Sequence, residues 1–471
     1  MHAGRLLYLC NMSIPANWEE HSFEDWKKKV DQELKGASFE ETLQSDLYGI
    51  RLAPLYTDRP AETSNEEEDI LGEHEQSGMQ WQATGSFRYM EGSVASILQE
   101  AFTEQISWMR ISGQVSLFLD QLAKEVPLPV TLCLEAESVP ASEDEVLEWR
   151  DRLRKAKAHH PFLWSLEFDP IGNWARTGAI RQAAHTFDHL YDLIIRLESD
   201  LTDTKFIRVD AAVAGEAGAG PLTEIAYALS AGSCYLKEMT ERGMELYEAA
   251  HLLVFQFSAG TDHFAEIAKL RAFRTCWRNL LEYLDPEFAY MEHPPVHVRI
   301  SQVFHTQADV HNNLLRHTTA ALSAILGGAD VLEVPPHEEG IRGHRLAGNI
   351  QRLLRYESRM DSYAKAASGS YYLEQLTGQV AEAAWKIFCV WEDAGGCLEQ
   401  LRSGQLQSAI QTDRLQLLND HLSGKKVLIG VNKYVQETPE LPQQKHVEFN
   451  EFTAILPWNL EQAIRHEQVA G

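Results

Sequence analysis

The sequence has few cysteines and a shortage of basic residues. Its six cysteines are scattered among 471 residues without a CxxC pair, so neither a disulfide framework nor a cysteine-based metal or redox motif is indicated. We expect reduced, buried thiols in a cytoplasmic protein. The chain carries 42 lysines and arginines against 69 acidic residues, a net charge of −27. Because phosphate backbones and anionic bilayers attract basic surfaces, this balance argues against nucleic acid and membranes as partners.

Long apolar runs and several common catalytic motifs are also missing. No stretch of about 18 apolar residues is present, so we expect no membrane-spanning helix. A P-loop, a GxSxG elbow and a catalytic cysteine motif are absent as well, which leaves those chemistries without support. The chain is 44% hydrophobic and 24% charged, a composition typical of globular proteins.

Eight β-rich segments alternate with helical patterns along most of the chain. The predicted strands are 80–83, 106–111, 130–134, 163–168, 206–210, 253–257, 296–300 and 330–334. The clearest helical patterns are 115–125, 143–156, 179–198, 222–242, 261–284 and 312–326. Repeated βα units predict an α/β fold of the (β/α)₈ TIM-barrel type. A doubly wound sheet would carry GxGxxG, whereas the glycine loop at 215–220 has GEAGAG.

An amphipathic helix is predicted ahead of the barrel, over residues 22–35. Ser22 and Asp25 have the spacing of a capping box. Phe23, Trp26 and Val30 fall on one helical face. Such a face on an N-terminal helix needs a surface to cover it, either in its own domain or on a partner subunit.

The chain is expected to consist of an arm, a barrel and a tail. An acidic, polar linker at 57–79 closes the arm, so the arm and linker span 1–78 and the barrel 79–360. The remainder, 361–471, is expected to hold C-terminal helices and a truncated linker. Within it, 369–388 and 398–418 have helical patterns, whereas 425–434 has a strand-like core ending in a turn.

Polar residues on the barrel strands are the candidate functional residues, because barrel enzymes place active sites at the C-terminal strand ends. The best candidates for binding a phosphate or carboxylate are Arg110, Arg208 and Arg299, since a guanidinium can form two parallel hydrogen bonds with either group. The other members of the set are Glu135, Glu167, Asp210, Gln256 and Glu333. The competing interpretation, which the balanced charges favour, is that these groups pair with one another and seal the barrel.

Five histidines lie near the end of the barrel, but their spacing does not favour a metal site. They are His293, His297, His305, His311 and His317. Two prolines separate the first pair, and a spacing of six residues puts His311 and His317 on different helical faces. We therefore expect no metal on this chain.

Several stretches of the sequence resemble the methylmalonyl-CoA mutase family. WKKKVDQELKGASFEETLQSDLYGIRLAPLYT (26–57) is similar to the arm that wraps the partner subunit, and EAGAGPLTEIAYALSAGSCYL (216–236) to the fifth-strand loop and helix. FSAGTDHFAEIAKLRAFRTCWR (257–278) resembles the sixth unit, with EIAKLRA as a specific match. The resemblance continues in order through NNLLRHTTAALSAILGGADVL (312–332), RLAGNIQRLLRYES (345–358), GSYYLEQLT (369–377) and KVLIGVNKY (426–434).

The resemblance implies an isomerase built on a barrel that threads a coenzyme A ester along its axis. In the family, adenosylcobalamin on a separate C-terminal domain supplies the radical that interconverts methylmalonyl-CoA and succinyl-CoA. This chain departs from that pattern consistently. The family's catalytic histidine falls at Val213, the RQYAGF-type stretch is replaced by the linker at 57–79, and the HCQTSG-type motif is replaced by SQVFHTQADVHNN (301–313). The DP before GSYY becomes Lys365-Ala366, and the DxHxxG of the cobalamin domain is absent.

With these departures, the resemblance implies the small, non-catalytic subunit of a heterodimeric mutase that lacks the cobalamin-binding domain. The implied partner is a large catalytic subunit that holds adenosylcobalamin, with acyl-CoA bound in the complex and no cofactor on this chain. Phe23, Trp26 and Val30 would be arm contacts with that subunit across a large apolar interface.

Two other functions remain open at this point. One is an autonomous acyl-CoA-binding barrel, or a mutase that takes cobalamin from a separate protein, using the three arginines. The other is a partner of a maturation GTPase, for which no motif is present. A filled bore would count against the first, and four strand aromatics suggest filling: Trp108, Trp164, Phe255 and Phe257.

Overall fold

The computed structural model describes residues 22–36, 38–56, 81–89, 94–103, 108–122, 131–136, 138–159, 163–198, 204–287, 293–338, 341–363, 366–436 and 450–470. The acidic linker predicted at 57–79 and the position of Lys365 lie outside these residues. The chain forms two compact units, Met1–Arg59 and Pro60–Gly471.

The first unit begins with the predicted amphipathic helix. Helix α1 (Phe23–Glu33) opens with the expected capping box, in which Asp25 N donates to Ser22 Oγ at 3.2 Å and Ser22 N donates to Asp25 Oδ2 at 3.1 Å. A short helix α2 and a two-stranded hairpin follow: α2 (Phe39–Leu43), β1 (Ser45–Leu47) and β2 (Ile50–Leu52). No residue of α1 is buried, so its apolar face remains accessible.

The second unit is built on a closed barrel of eight parallel strands. These are β3 (Gln82–Tyr89), β4 (Trp108–Gly113), β5 (Thr131–Glu135), β6 (Leu163–Phe168), β7 (Lys205–Asp210), β8 (Leu253–Ala259), β9 (Val296–Ile300) and β10 (Val331–Glu333). Each strand pairs with the next along the chain, and β10 closes the barrel by pairing with both β9 and β3. Every predicted strand overlaps one of these, so the (β/α)₈ fold is confirmed.

Helices surround the barrel between the strands. They are α3 (Val94–Thr103), α4 (Val115–Leu122), α5 (Glu143–His159), α6 (Pro170–Thr177), α7 (Ala183–Glu198), α8 (Ala212–Glu216), α9 (Pro221–Thr240), α10 (Leu246–His251), α11 (His263–Leu284), α12 (Val310–Leu326) and α13 (Ile341–Arg352). The prediction of a helix at 179–198 was wrong about where the helix begins, because α7 starts at Ala183. Gly178 ends α6 with φ of 72°, and Gln182 has φ of 47°, so the chain turns before α7 begins.

The segments after the barrel are mainly helical. A π-helical turn (Leu353–Glu357) follows α13, and the later helices are α14 (Tyr371–Asp393), α15 (Gly396–Ser403), α16 (Gln405–Leu422) and α17 (Leu460–Ala470). Helix α14 packs against α9 and α11. The strand-like core predicted at 425–434 instead forms turns. Gly430 there has φ of 89°, and the Asn432 amide donates to His421 O at 2.7 Å and accepts from Leu428 N at 2.7 Å.

An extended segment at 450–459, which we call the C-terminal strap, was not expected from the sequence. Four backbone hydrogen bonds tie it and the first residue of α17 to the barrel: Phe452 N to Gly178 O (2.9 Å), Ile455 N to Ala175 O (2.8 Å), Trp458 N to Glu216 O (2.8 Å) and Leu460 N to Val303 O (2.9 Å). These acceptors follow strands β6, β7 and β9. The strap therefore crosses the face of the barrel at which the strands end.

Helix α17 is anchored by its own apolar residues. Leu460 and Ile464 are completely buried, in a cluster with Val303, Leu417 and Val431. Removing such side chains from water is the main favourable term in folding, so α17 is an integral part of the second unit.

The described residues include no helix both long and apolar enough to cross a bilayer. The described cysteines Cys133, Cys234, Cys276, Cys389 and Cys397 are free thiols. The expectation of unpaired cysteines is confirmed for these five.

Candidate functional site

The alternation of side chains along the strands separates the bore from the helix-facing layer. On β8, Phe255 and Phe257 pack against Phe273 of α11, with ring centroids 4.6 and 4.7 Å apart. Gln256, between them, accepts a hydrogen bond from Arg110 inside the barrel. The suggestion that Phe255 and Phe257 fill the bore was therefore wrong, because both rings face the surrounding helices.

Arg110 of β4 lies at the centre of the bore, with its side chain 3% exposed. Its Nη2 is 2.9 Å from Glu167 Oε2, and its Nη1 is 3.0 Å from Glu135 Oε1. A third contact joins Nη2 to His297 Nδ1 at 2.7 Å. Burial lowers the pKa of Arg110, but Glu167 and Glu135 outweigh it and hold the pKa above its ordinary value. The guanidinium therefore remains charged.

Arg208 of β7 shares the same carboxylates. Its Nη1 is 2.5 Å from Glu135 Oε1 and 3.7 Å from Glu167 Oε2, and its Nη2 is 3.9 Å from Asp210 Oδ2. Burial raises the pKa of Glu135, but Arg208 and Arg110 more than reverse this and lower it to about 2. Glu135 therefore bridges two buried arginines as a carboxylate.

Arg299 of β9 is the most exposed of the three candidate arginines. It makes a bidentate contact with Glu333, with Nε donating to Oε1 at 3.0 Å and Nη2 donating to Oε2 at 3.2 Å. Nevertheless, 32% of its side chain is exposed. Arg176, on α6, contacts Asp210 in the same region. The network thus joins Arg110, Arg176, Arg208 and Arg299 to Glu135, Glu167, Asp210 and Glu333.

His297 belongs to this network, although its sequence position grouped it with four other histidines near the end of the barrel. Burial, followed by the charges of Arg110 and Arg208, holds the pKa of His297 well below its ordinary value, so the imidazole is neutral. The available signal was its position two residues before Arg299 on one strand, which places both side chains on the same face.

These contacts define what the bore can do chemically. Each bore arginine whose side chain the structure describes is paired with a carboxylate, in the arrangement that the sealing interpretation predicts. An incoming anion would have to displace a buried carboxylate and leave it without its partner, which is strongly unfavourable.

Val213, which the resemblance aligns with the family's catalytic histidine, lies in α8 directly after β7 and is 7% exposed. Its isopropyl group can neither accept nor donate a proton. Glu216, in the same short helix, is the nearby titratable side chain: its Oε2 accepts from Gln302 N at 3.1 Å. Burial raises the pKa of Glu216 to about 7.

The described residues do not fit adenosylcobalamin. The single D-x-H sequence, Asp309 and His311, serves to begin α12, because Asp309 Oδ1 accepts from His311 N at 3.2 Å. The strap and α17 lie across the strand-end face through Trp458 and Leu460. No reaction step through the cofactor can be assigned to these side chains.

His305 and His317, two of the five histidines near the end of the barrel, are in direct contact. The rings of His305 and His317 are stacked, 4.6 Å apart and 20° from parallel, with their Nε2 atoms in contact. Burial is the largest cause that lowers the pKa of His305 to about 4 and of His317 to about 3, so both are neutral. Across the described parts of the chain, no three His, Cys, Asp or Glu side chains converge as metal ligands.

The second unit is thus a (β/α)₈ barrel whose bore holds paired arginines and carboxylates. The family model of methylmalonyl-CoA mutase matches residues 165–457. The chain therefore belongs to the methylmalonyl-CoA mutase family, which is a family of isomerases.

The relatives include proteins named as small subunits. The chain is 28% identical over 452 residues to the methylmalonyl-CoA mutase small subunit of Streptomyces virginiae, covering 90% of this chain and 72% of that protein. It is 31% identical over 245 residues to the small subunit of Porphyromonas gingivalis, covering 50% and 39%. A methylmalonyl-CoA mutase of Rhizobium meliloti is 32% identical over 232 residues, covering 48% and 32%. These similarities confirm the resemblance seen in the sequence.

Proposed function

We propose that this chain is the non-catalytic small subunit of a two-chain methylmalonyl-CoA mutase in the cytoplasm. The large subunit would hold adenosylcobalamin and interconvert methylmalonyl-CoA and succinyl-CoA, while this chain stabilises it. The proposal rests mainly on Val213, an inert side chain at the position that the resemblance aligns with the family's catalytic histidine. The proposed division is an arm and linker (1–78), a barrel (79–360) and C-terminal helices (361–471).

The bore supports a structural role. Arg110 and Arg208 are held by Glu135 and Glu167, and all four groups are largely removed from solvent. Breaking a buried ion pair by removing one partner costs about 3–5 kcal/mol. A coenzyme A ester threaded along the axis would have to meet that cost, so the network favours a barrel that stays closed.

Arg299 differs from the other two arginines proposed for substrate binding. It has one carboxylate partner and 32% of its side chain is exposed. We therefore assign Arg110 and Arg208 to holding the barrel together, and propose Arg299 as the arginine that contacts acyl-CoA in the complex.

The arm supports the existence of a partner. Phe23 is 40% exposed, and Trp26 and Val30 on the same helix are only half-buried. An accessible aromatic and aliphatic face of this kind is typical of an interface core. We propose that these three side chains contact the large subunit.

The test is co-expression of this chain with a large mutase subunit, followed by co-purification and an isomerase assay with adenosylcobalamin. The proposal expects activity from the pair and none from this chain alone. Turnover or tight acyl-CoA binding by the lone chain would instead support the autonomous barrel. Failure of the two chains to associate would contradict the subunit assignment.

A pair of triple variants tests the arm directly. Changing Phe23, Trp26 and Val30 to alanine should abolish co-purification or weaken it at least tenfold. The matched control changes the exposed residues Lys28, Asp31 and Gln32 of the same helix to alanine, which preserves the net charge. Equal loss in both variants would show that helix formation, rather than the apolar face, is what association requires.

A further inference from the structure

A cleft of about 420 Å³ lies at the strand-end face of the second unit. It is lined by residues 302–307 after β9, by residues 336–338 after β10, and by residues 459–462 where α17 begins. In barrel order these are the loops after the seventh and eighth strands, joined by an additional helix. (β/α)₈ barrels frequently bind phosphate groups at this place, using the N-terminus of such a helix.

Two helices direct their N-termini at the cleft. Val310 and Asn313, in the first turn of α12, line it, as does Gln462 of α17. Asn459 caps α17 by accepting from Gln462 N at 3.1 Å. The carboxylate of Asp309 already caps α12, whereas the cap of α17 is a neutral amide. The partial positive charge at the N-terminus of α17 is therefore the one that favours a bound anion.

Arg316 places a full positive charge behind the wall of the cleft. Its Nη1 donates to Thr306 Oγ1 at 2.9 Å and to Asn313 Oδ1 at 2.8 Å, and both residues line the cleft. Its Nη2 donates to Ile429 O at 2.7 Å. All three acceptors are uncharged, and within the described residues no carboxylate lies at ion-pair distance from this guanidinium.

His337 points to a ligand independently of the helices. It lines the cleft and is 5% exposed, yet neither Nδ1 nor Nε2 has a hydrogen-bond partner. An imidazole carries at least one N–H donor in either protonation state. A buried donor without an acceptor is costly, and an anionic oxygen in the cleft would satisfy it.

Two carboxylates, those of Glu338 and Glu461, also line the cleft. Glu461 is 3.0 Å from Arg465 Nη2 and accepts from Gln307 N at 2.6 Å. Glu338 lies 3.5 Å from Arg342 Nε and 3.9 Å from His337 Nε2. Glu461 is therefore hydrogen-bonded, whereas Glu338 Oε1 has ion-pair contacts but no hydrogen-bond partner. Because an arginine lies within ion-pair distance of each acid, the charge of Arg316 can still favour an anion in the cleft.

We propose that this cleft binds a small phosphate-bearing metabolite, with His337 donating a hydrogen bond to the phosphate. Bound there, the phosphate joins the loops after β9 and β10 to α17. It therefore fixes α17 to the barrel.

The experiment uses the full chain, titrated with inorganic phosphate and with glycerol 3-phosphate at constant ionic strength set by sodium chloride. Binding is measured by calorimetry and by the shift in melting temperature. We expect saturable binding of the phosphate group to the unaltered chain. The variant His337→Ala should weaken it about tenfold or more. The control His466→Ala, on an exposed position of α17, should bind as the unaltered chain does.

Two results would overturn the proposal: no saturable binding by the unaltered chain, or equal binding by the unaltered chain and His337→Ala. Since His337→Ala could disturb folding, Arg316→Gln provides a second variant, and it too should weaken binding about tenfold. Circular dichroism checks that each variant is folded. Binding of the ester with equal or greater affinity identifies a phosphate monoester as the ligand class, whereas binding of inorganic phosphate alone identifies the free anion.

Discussion

The ammonium group of Lys269 lies 2.8 Å from Glu224 Oε2, and each side chain is 2% exposed. Lys269 also reaches Glu266 Oε2 at 2.6 Å and donates to Ser258 O at 2.7 Å. We expect Lys269→Met to destabilise the fold by about 3–5 kcal/mol, because it leaves buried carboxylates without their cation. Urea unfolding followed by circular dichroism would measure the loss.

The control for this prediction is Lys386→Met. Lys386 pairs with Glu382 at 2.6 Å, but their side chains are 70% and 69% exposed. Exposed pairs contribute little to stability, so the midpoint of unfolding should not change measurably. Equal midpoints for Lys269→Met and Lys386→Met would contradict the importance of the buried cluster.

Glu216 should make the stability of the chain depend on pH. Burial raises its pKa from the ordinary 4.5 to about 7, so between these values the folded state binds more protons than the unfolded state. The free energy of unfolding must then fall as pH rises through this window, by at most about 3 kcal/mol for a shift of this size.

The variant Glu216→Gln removes that titration. Relative to the unaltered chain, we expect it to be similar in stability at pH 4.5 and more stable at pH 8, since the glutamine oxygen can still accept from Gln302 N. Unfolding midpoints at the two pH values would measure the difference. An identical pH dependence in both chains would show that the pKa of Glu216 is the same in the folded and unfolded states.

Gly218 should be sensitive to substitution because the strap packs on it. It has φ of 90°, and an added Cβ would lie 2.8 Å from Arg414 Cγ and 2.8 Å from Trp458 Cε3. Gly430 has φ of 89° with nothing within 4 Å of such an atom. Gly430→Ala should therefore destabilise the fold only by the strain of a non-glycine residue at positive φ, about 1–2 kcal/mol. Gly218→Ala should cost more, because it also displaces Trp458.

Hydrogen exchange over residues 452–460 distinguishes the two glycine variants. We expect faster exchange at Trp458 and Leu460 in Gly218→Ala and no change there in Gly430→Ala. Unchanged exchange in both would mean that the strap is held independently of the loop at 216–220.

Placing a histidine at position 213 should not give the lone chain catalytic activity. The ion pairs of Arg110 and Arg208 close the bore, and the bond from Trp458 N to Glu216 O lays the strap over the same loop. Purified Val213→His, assayed with methylmalonyl-CoA and adenosylcobalamin, should show no isomerisation above the unaltered chain. Measurable turnover would show that the histidine alone had been missing.

The barrel could be predicted from the sequence because each strand is a short β-rich run between helical patterns. Val296–Ile300 and Leu163–Phe168 were placed at their observed limits. Inward and outward faces were harder to assign, since Phe255 and Gln256 are neighbours in a strand buried on both sides. The arginines and carboxylates that lie together in the bore could be listed from the strand sequences. The contact of His297 with Arg110 could not, because a single histidine between two valines does not indicate its partners.

Most of the features that could not be predicted from the sequence depend on contacts between residues far apart in the chain. The sequence from 425 to 434 has a β-rich pattern, but the side-chain bonds of Asn432 and the positive φ of Gly430 determine its turns. Helix α17 and the strap depend on acceptors such as Gly178 and Val303 that are distant in sequence. Nothing in their local composition identifies those acceptors.

The C-terminal strap is held to the barrel by main-chain hydrogen bonds, and these determine which changes to its sequence it can tolerate. The N–H groups of Phe452, Ile455, Trp458 and Leu460 donate to carbonyl oxygens in the segments that follow β6, β7 and β9. Any residue other than proline supplies the same donor. Spacing along the segment therefore matters more for these bonds than residue type does. Substitutions at its exposed positions can accumulate, whereas one inserted or deleted residue would shift the later donors away from their acceptors.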